Sequence, residues 1–234
     1  LDEAYSLEFM NIERLLAGSA TDTFNVLEDQ SFELHGGAGN DVFVFSDGVK
    51  LLDLSDVHPD FQSSVDGQGG IDTLDFSAYT TSVIANLATG AANMIGSSAL
   101  GRLVTLENLI GGSANDTLTG DAGNNFITGN AGNDVMSGDL GNDTFVFGNG
   151  WGSDTVIELA GQGSDTLDFS AVTVPLTFNL LSDGLNGSDG TNRVTYSGND
   201  LENLTGGTQD DTFNFGNGSS VAGILDGREG SNTL

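Results

Sequence analysis

Gly111-Gly112-Ser113-Ala114-Asn115-Asp116-Thr117-Leu118-Thr119 runs without a gap into Gly120-Asp121-Ala122-Gly123-Asn124-Asn125-Phe126-Ile127-Thr128. Gly129-Asn130-Ala131-Gly132-Asn133-Asp134-Val135-Met136-Ser137 and Gly138-Asp139-Leu140-Gly141-Asn142-Asp143-Thr144-Phe145-Val146 follow directly. Further copies stand at Gly36–Val44 and Gly67–Asp75. Each nine-residue unit places glycines where a tight turn needs them, an acid or its amide at position six, and an apolar residue at position eight. The pattern G-G-x-G-x-D-x-U-x encodes a turn followed by a three-residue strand, the unit of a parallel β-helix. Two units make one coil, so units n and n+2 lie one above the other.

A longer period overlies this one. Leu106-Glu107-Asn108-Leu109-Ile110-Gly111-Gly112 returns as Leu201-Glu202-Asn203-Leu204-Thr205-Gly206-Gly207, with a worn copy from Ile12 to Phe24. The aligned aspartates Asp22, Asp116 and Asp211 are 94 and 95 residues apart. Gly67–Ala78 likewise matches Gly161–Ala171, and Asn86-Leu87 matches Asn179-Leu180. The expected organisation is the tail of one module (1–66), a complete module (67–160) and a truncated third (161–234), stacked as one continuous rod. The chain reads as a fragment of a longer protein.

Strands are expected at Asp41–Phe45, Thr73–Phe76, Asp143–Phe147, Thr166–Phe169 and Thr212–Phe215, where polar and apolar residues alternate. Ser82–Leu87 and Val174–Leu180 are expected to continue the same coil. A helix is expected near Glu3–Leu16, and Ser55–Val65, with Pro59, reads as a surface excursion. The fold class is therefore all-β, a parallel β-roll or β-helix solenoid.

Composition narrows the partners. The 34 acidic and 5 basic residues give a net charge of -29, which strains a compact fold by self-repulsion. Arg14, Lys50, Arg102, Arg193 and Arg228 form no basic patch, so nucleic acid and anionic membrane are poor partners, and no run is long enough for a helical membrane span. The acids sit at fixed offsets from glycines and apolar residues, unlike those of a disordered acidic tail. Cys is absent, so bound metal is the available staple in place of disulfides.

On these motifs the chain resembles the RTX (repeats-in-toxin) calcium-binding β-roll of secreted toxins, adhesins and serralysin-type proteases. The resemblance implies a right-handed roll with several Ca²⁺ ions in its turns. Positions two, four and six of unit n would hold an ion with positions one, three and six of unit n+2. Carried over, one site takes Gly112, Ala114 and Asp116 with Gly129, Ala131 and Asp134. A second takes Asp121, Gly123 and Asn125 with Gly138, Leu140 and Asp143. A third takes Asn130, Gly132 and Asp134 with Asn149, Trp151 and Asp154. Gly18, Ala20 and Asp22 pair with Gly36, Ala38 and Asp41, and Gly207, Gln209 and Asp211 with Gly227, Glu229 and Asn232. Position-six aspartates act through carboxylates and the other residues mainly through carbonyls. Asn125 and Asn232 supply neutral ligands, and Ala20, Ala114 and Gln209 replace the position-four glycine.

Position-eight residues Phe43, Leu118, Ile127, Met136 and Phe145 give a core one side chain thick. Burying one such side chain returns roughly 1.5–3 kcal/mol, while ordering each residue costs about 1–2 kcal/mol, so folding is expected to depend on the ion. No H-E-x-x-H, G-x-S-x-G or Walker motif occurs, and the dense acids make chance carboxylate pairs inevitable, so the expectation is a protein without catalysis. His35 reads as structural at a turn edge. Trp151 reads as a cover for the roll or as a sugar-stacking platform. The expected role is a calcium-stabilised extended spacer of a secreted or cell-surface protein; the alternatives are a secretion and folding module of a secreted enzyme and a carbohydrate-binding adhesin segment, with a surface or glycan ligand. Neighbouring repeat modules of the same chain are the expected contacts.

Overall fold

The computed structural model describes residues 14–29, 31–52, 63–93, 103–198 and 201–234. Every regular element in them is a strand. In chain order these are β1 (Arg14–Leu16), β2 (Thr23–Val26), β3 (Glu33–Ala38), β4 (Val42–Phe45), β5 (Ser64–Gly69), β6 (Thr73–Asp75), β7 (Ile84–Asn86) and β8 (Ala91–Ala92). They continue as β9 (Leu103–Val104), β10 (Asn108–Ile110), β11 (Thr117–Thr119), β12 (Phe126–Thr128), β13 (Val135–Ser137), β14 (Thr144–Val146) and β15 (Ser153–Ile157). The last are β16 (Thr166–Asp168), β17 (Thr177–Leu181), β18 (Gly184–Ser188), β19 (Arg193–Ser197), β20 (Asn203–Thr205), β21 (Thr212–Phe215) and β22 (Leu225–Asp226).

The chain winds as a parallel β-roll. One wall is a nine-stranded sheet of order β2-β4-β6-β10-β12-β14-β16-β20-β22, and all its pairings are parallel. Sharing its core are a four-stranded sheet, β1-β3-β5-β9, and a second nine-stranded sheet, β8-β7-β11-β13-β15-β19-β18-β17-β21. These two are linked where Leu103 N–H donates to Gly90 O at 3.1 Å. Register puts like on like. Leu109, Ile127, Phe145, Leu167 and Leu204 form one inward column, and Leu118, Met136 and Val156 another. All five position-eight residues named above are fully buried. Flanking strand residues face out, as a period of two requires.

The segments outside the nonapeptides are not simple further coils. Ile84–Asn86 and Thr177–Leu181 are strands, but each opens an antiparallel meander. β8 runs antiparallel to β7, and β18 runs antiparallel to both β17 and β19. The chain then rejoins the parallel stack, β9 on β5 and β19 on β15. Both insertions begin with an antiparallel pair, β7 with β8 and β17 with β18, so the long period records an inserted antiparallel segment as well as a run of turns. The helix expected over Glu3–Leu16 is not borne out at its C-terminal end: Arg14–Leu16 is strand β1, paired in register with Glu33–His35, because pairing to β3 overrides a weak helical pattern. Its remainder lies outside the described residues. Of the expected excursion over Ser55–Val65, Ser64 and Val65 instead open β5, and Val65 is fully buried. Residues 53–62 lie outside the described residues.

Turns entering the first sheet form one edge of the roll and turns leaving it form the other. The first edge carries 17–22, 36–41, 67–72, 120–125, 138–143 and 158–165. The second carries 111–116, 129–134, 148–154, 206–211 and 227–232. The worn copy around Asp22 therefore lies on the edge opposite its aligned partners Asp116 and Asp211.

Candidate metal centres

Position six links one coil to the next. On the first edge Asp22 N–H donates to Asp41 Oδ1 at 2.8 Å and Asp41 N–H to Asp72 Oδ1 at 2.7 Å. Asp72 N–H then donates to Glu107 Oε2 at 2.7 Å. The series restarts with Asn125 N–H on Asp143 Oδ1 at 2.8 Å, Asp143 N–H on Asp165 Oδ1 at 2.9 Å and Asp165 N–H on Glu202 Oε2 at 3.0 Å. On the second edge Asp116 N–H meets Asp134 Oδ1 at 2.8 Å, and Asp134 N–H meets Asp154 Oδ1 at 3.0 Å. Asp211 N–H meets Asn232 Oδ1 at 2.8 Å. A position-six hydrogen bond thus links the two turns of each of the five pairs named from the sequence.

The second carboxylate oxygen folds back over the position-one glycine of its own turn. A Cβ on Gly129 would stand where the Asp134 carboxylate lies, and the same holds for Gly36 with Asp41 and Gly138 with Asp143. Position one is glycine because the carboxylate needs that space. Position four is glycine for another reason. Gly132 has φ +143°, and a Cβ there would run into the Ala114 carbonyl of the layer before.

This fold leaves oxygens bare. Asp41, Asp72, Asp134, Asp143 and Asp154 are at least 97% buried, and in each Oδ2 has no hydrogen-bond partner. An unpaired buried charge is untenable. Burial accordingly pushes the Asp134 carboxyl up to about 7, Asp143 to about 6 and Asp154 to about 8. Asp116 and Asp211 differ. Asp116 accepts Val83 N–H and Gly112 N–H on its two oxygens, at 2.8 and 2.7 Å. Asp211 accepts Leu176 N–H and Gly207 N–H, both at 2.8 Å. These module-equivalent turns cap each roll against the preceding meander.

The turn at 227–232 displays where the donors converge. Asn232 Nδ2 donates to Gly227 O at 2.7 Å and to Glu229 O at 3.2 Å. The position-one and position-three carbonyls therefore aim at the position-six side chain, and here an amide group satisfies them. Where position six is aspartate, the same three groups present only oxygen lone pairs to one another. A hard cation with six to eight oxygen ligands suits such a set. Among the described residues no three Asp, Glu or His side chains cluster to hold a metal by themselves, so carbonyls must complete any site. Three carbonyls in the inferred sets already accept one amide from the next layer: Gly18 from Ala38, Asp121 from Leu140 and Gly132 from Ser153. Each keeps one lone pair.

Trp151 is 2% exposed, edge-on to Phe147 and Phe169 at 6.2 and 5.6 Å. It is part of the core, so the sugar-stacking reading of its ring fails, and only its carbonyl is open to a ligand role. His35 lies on the outer face of β3 beside Asp66 and Glu33, at 3.3 and 3.5 Å.

Five acidic residues of these edges escaped the sequence reading: Asp72, Glu107, Glu158, Asp165 and Glu202. A second ladder escaped it too. Position-five side chains accept the position-five amide of the next layer: Asn115 from Asn133, Asn133 from Ser153, Asn124 from Asn142 and Asn142 from Ser164, at 2.8–3.0 Å. The recurrence of Asn at that position was a legible signal for it.

Residues 33–49 and 110–145 match the family model of the RTX calcium-binding nonapeptide repeat, in four copies. These are RTX calcium-binding repeats. The RTX match takes in the turns at 36–41, 111–116, 120–125, 129–134 and 138–143. The turns at 17–22, 67–72, 148–154 and 206–211 lie outside it, yet stack on RTX turns or repeat their geometry. A comparison with curated proteins gives no match.

Proposed function

We propose that this chain is a calcium-stabilised structural rod, an extended spacer of a secreted or cell-surface protein, which folds when it meets calcium outside the cell. The observation that carries the reading is a set of five buried aspartate oxygens without hydrogen-bond partners, those of Asp41, Asp72 and Asp143 on one edge of the roll and of Asp134 and Asp154 on the other. Those oxygens burden the fold when bare and serve it when a divalent cation neutralises them.

The ion sets follow from the stacked turns. Asp116 with Asp134, Asp134 with Asp154, Asn125 with Asp143, and Asp22 with Asp41 each join a carbonyl-lined turn to a position-six side chain in the next layer. The pair Asp211 and Asn232 is the weakest, because the Asn232 amide already occupies the carbonyls of Gly227 and Glu229. Calcium would supply positive charge there; the chain supplies the orientation, through glycines that admit the carboxylate and amides that fix its other oxygen.

The test is circular dichroism and Trp151 emission of the protein in chelator and on calcium titration. The expected result is a gain of β signal, a blue shift as Trp151 becomes buried, and a higher melting temperature. Identical spectra and melting in chelator and in calcium would overturn the reading.

A further inference from the structure

Glu158 breaks the rule that position one is glycine. Register pairs Val135 with Thr155 and Met136 with Val156, so Glu158 stands opposite Gly138, in the place of position one of the next layer. The turn it opens, 158–165, is two residues longer than the turn 138–143 below it. The layers still meet at both marks: a Cβ on Gly163 would strike the Gly141 carbonyl, and Asp143 N–H donates to Asp165 Oδ1. The longer turn leaves room for a side chain where a nonapeptide has none.

That side chain turns inward. Glu158 is 2% exposed, and its Oε1 accepts Gly138 N–H at 2.6 Å. In the equivalent turns this amide bonds a main-chain carbonyl, as Gly120 N–H does with Ser137 O and Gly111 N–H with Thr128 O. Glu158 Oε2 is buried without a hydrogen-bond partner. Asp143 reaches the same glycine, its carboxylate filling the space of a Gly138 Cβ, and its Oδ2 is also without a hydrogen-bond partner. Two buried carboxylates with bare oxygens thus converge on Gly138, with no cationic side chain among the described residues to answer them. Asp139 and Asp165 add further negative charge nearby.

We propose that Glu158 and Asp143 together hold a divalent cation over Gly138, a calcium site built with a glutamate that no position of the nonapeptide supplies. The proposal rests on the calcium reading of the repeats but goes beyond it. The site lies at the C-terminal end of the tandem run, where the turn spacing departs from nine, and it carries two carboxylates on one glycine. Ligand charge count tunes calcium affinity, so this site binds more tightly than the Asn125 layer below it.

The test compares Glu158→Gln with the unaltered protein by equilibrium dialysis against calcium and by titration calorimetry. Glutamine keeps an acceptor for Gly138 N–H and nearly the same volume, and Glu28→Gln controls for the change in net charge at an exposed position. The expected result is the loss of one ion from the stoichiometry, or a weakening of one site by at least ~10-fold, with the remaining sites unchanged in E158Q and all unchanged in E28Q. If the unaltered protein binds no calcium, the reading of the repeats fails and this site with it. If it binds calcium and E158Q binds the same number equally tightly, this site alone is overturned. Should E158Q not fold in calcium, Glu158→Asp, which keeps the charge but shortens its reach, decides the matter. A raised calcium midpoint for folding supports the site, and an unchanged midpoint rejects it.

Discussion

Asp134→Asn should act in opposite directions with and without calcium. Asp134 is 1% exposed, one oxygen holds Asp116 N–H, and the other has no hydrogen-bond partner. Burial raises its carboxyl to about 7 from 3.8. At pH 8 the metal-free fold must carry that charge, at a cost of roughly three units of about 1.4 kcal/mol each, or about 4 kcal/mol. Asparagine removes the charge, keeps the acceptor for Asp116 N–H, and can close on the carbonyls of its own turn as Asn232 does. The metal-free melting temperature should therefore rise. With calcium the sign reverses. Asp134 joins two proposed sites, and an ion at 100-fold above its dissociation constant contributes about 2.7 kcal/mol, so up to about 5 kcal/mol is at stake. Asp116→Asn touches one site, through a carboxylate whose oxygens both already accept amides, and should lose less than half as much. The assay is thermal melting at pH 8 in chelator and in saturating calcium, with the calcium midpoint for folding measured for each variant. Equal midpoints for D134N and D116N would refute the sharing of Asp134. A fall in the metal-free melting temperature of D134N would refute the argument from buried charge.

Two further outcomes are expected. The raised carboxyls of Asp134, Asp143, Asp154 and Glu158, at about 6 to 8, favour the protonated form in the metal-free fold; their stabilisation is complete below the unfolded values near 4 and is lost as pH rises through 6 to 8. Melting in chelator should thus be higher at pH 5 than at pH 8.5, and the order should invert in calcium, because the cation takes the deprotonated carboxylate; a higher value at pH 8.5 in chelator would contradict this. Gly129→Ala drives a Cβ into the Asp134 carboxylate and should cost roughly 1–3 kcal/mol in calcium, whereas Gly148→Ala, with nothing within 4 Å of its Cβ position, should be neutral; equal melting of the two would sink the steric account of position one.

The turns were legible because their chemistry is local. Glycine at positions one and four, Asp at six and an apolar residue at eight define turn, strand and stacking without reference to anything distant. Asp72, Glu107, Asp165 and Glu202 were not legible, because their partners lie 22 to 37 residues away, across the lengthened turn, the meanders or the excursion, where nonapeptide spacing is lost. Glu158 was hidden for a similar reason: its role appears only when β13 and β15 are in register. The meanders escaped because Ile84–Asn86 and Thr177–Leu181 carry the same strand signal whether they pair parallel or antiparallel. The strand at Arg14–Leu16 escaped because its apolar spacing also fits a helical face, and only β3 beside it decides the matter.

The position-six hydrogen bonds between layers all point one way. In each linked pair the amide belongs to the earlier coil and the side-chain oxygen to the later one. The two ends of such a stack are therefore not equivalent. At position six a rod severed after a coil leaves a buried amide with no acceptor, while a rod severed before it leaves an acceptor that water can serve; the position-five amides donate the other way but are exposed, so water serves them too. Growth toward the C-terminus completes what the N-terminal layers lack, and the last coil is the one that most requires a lid.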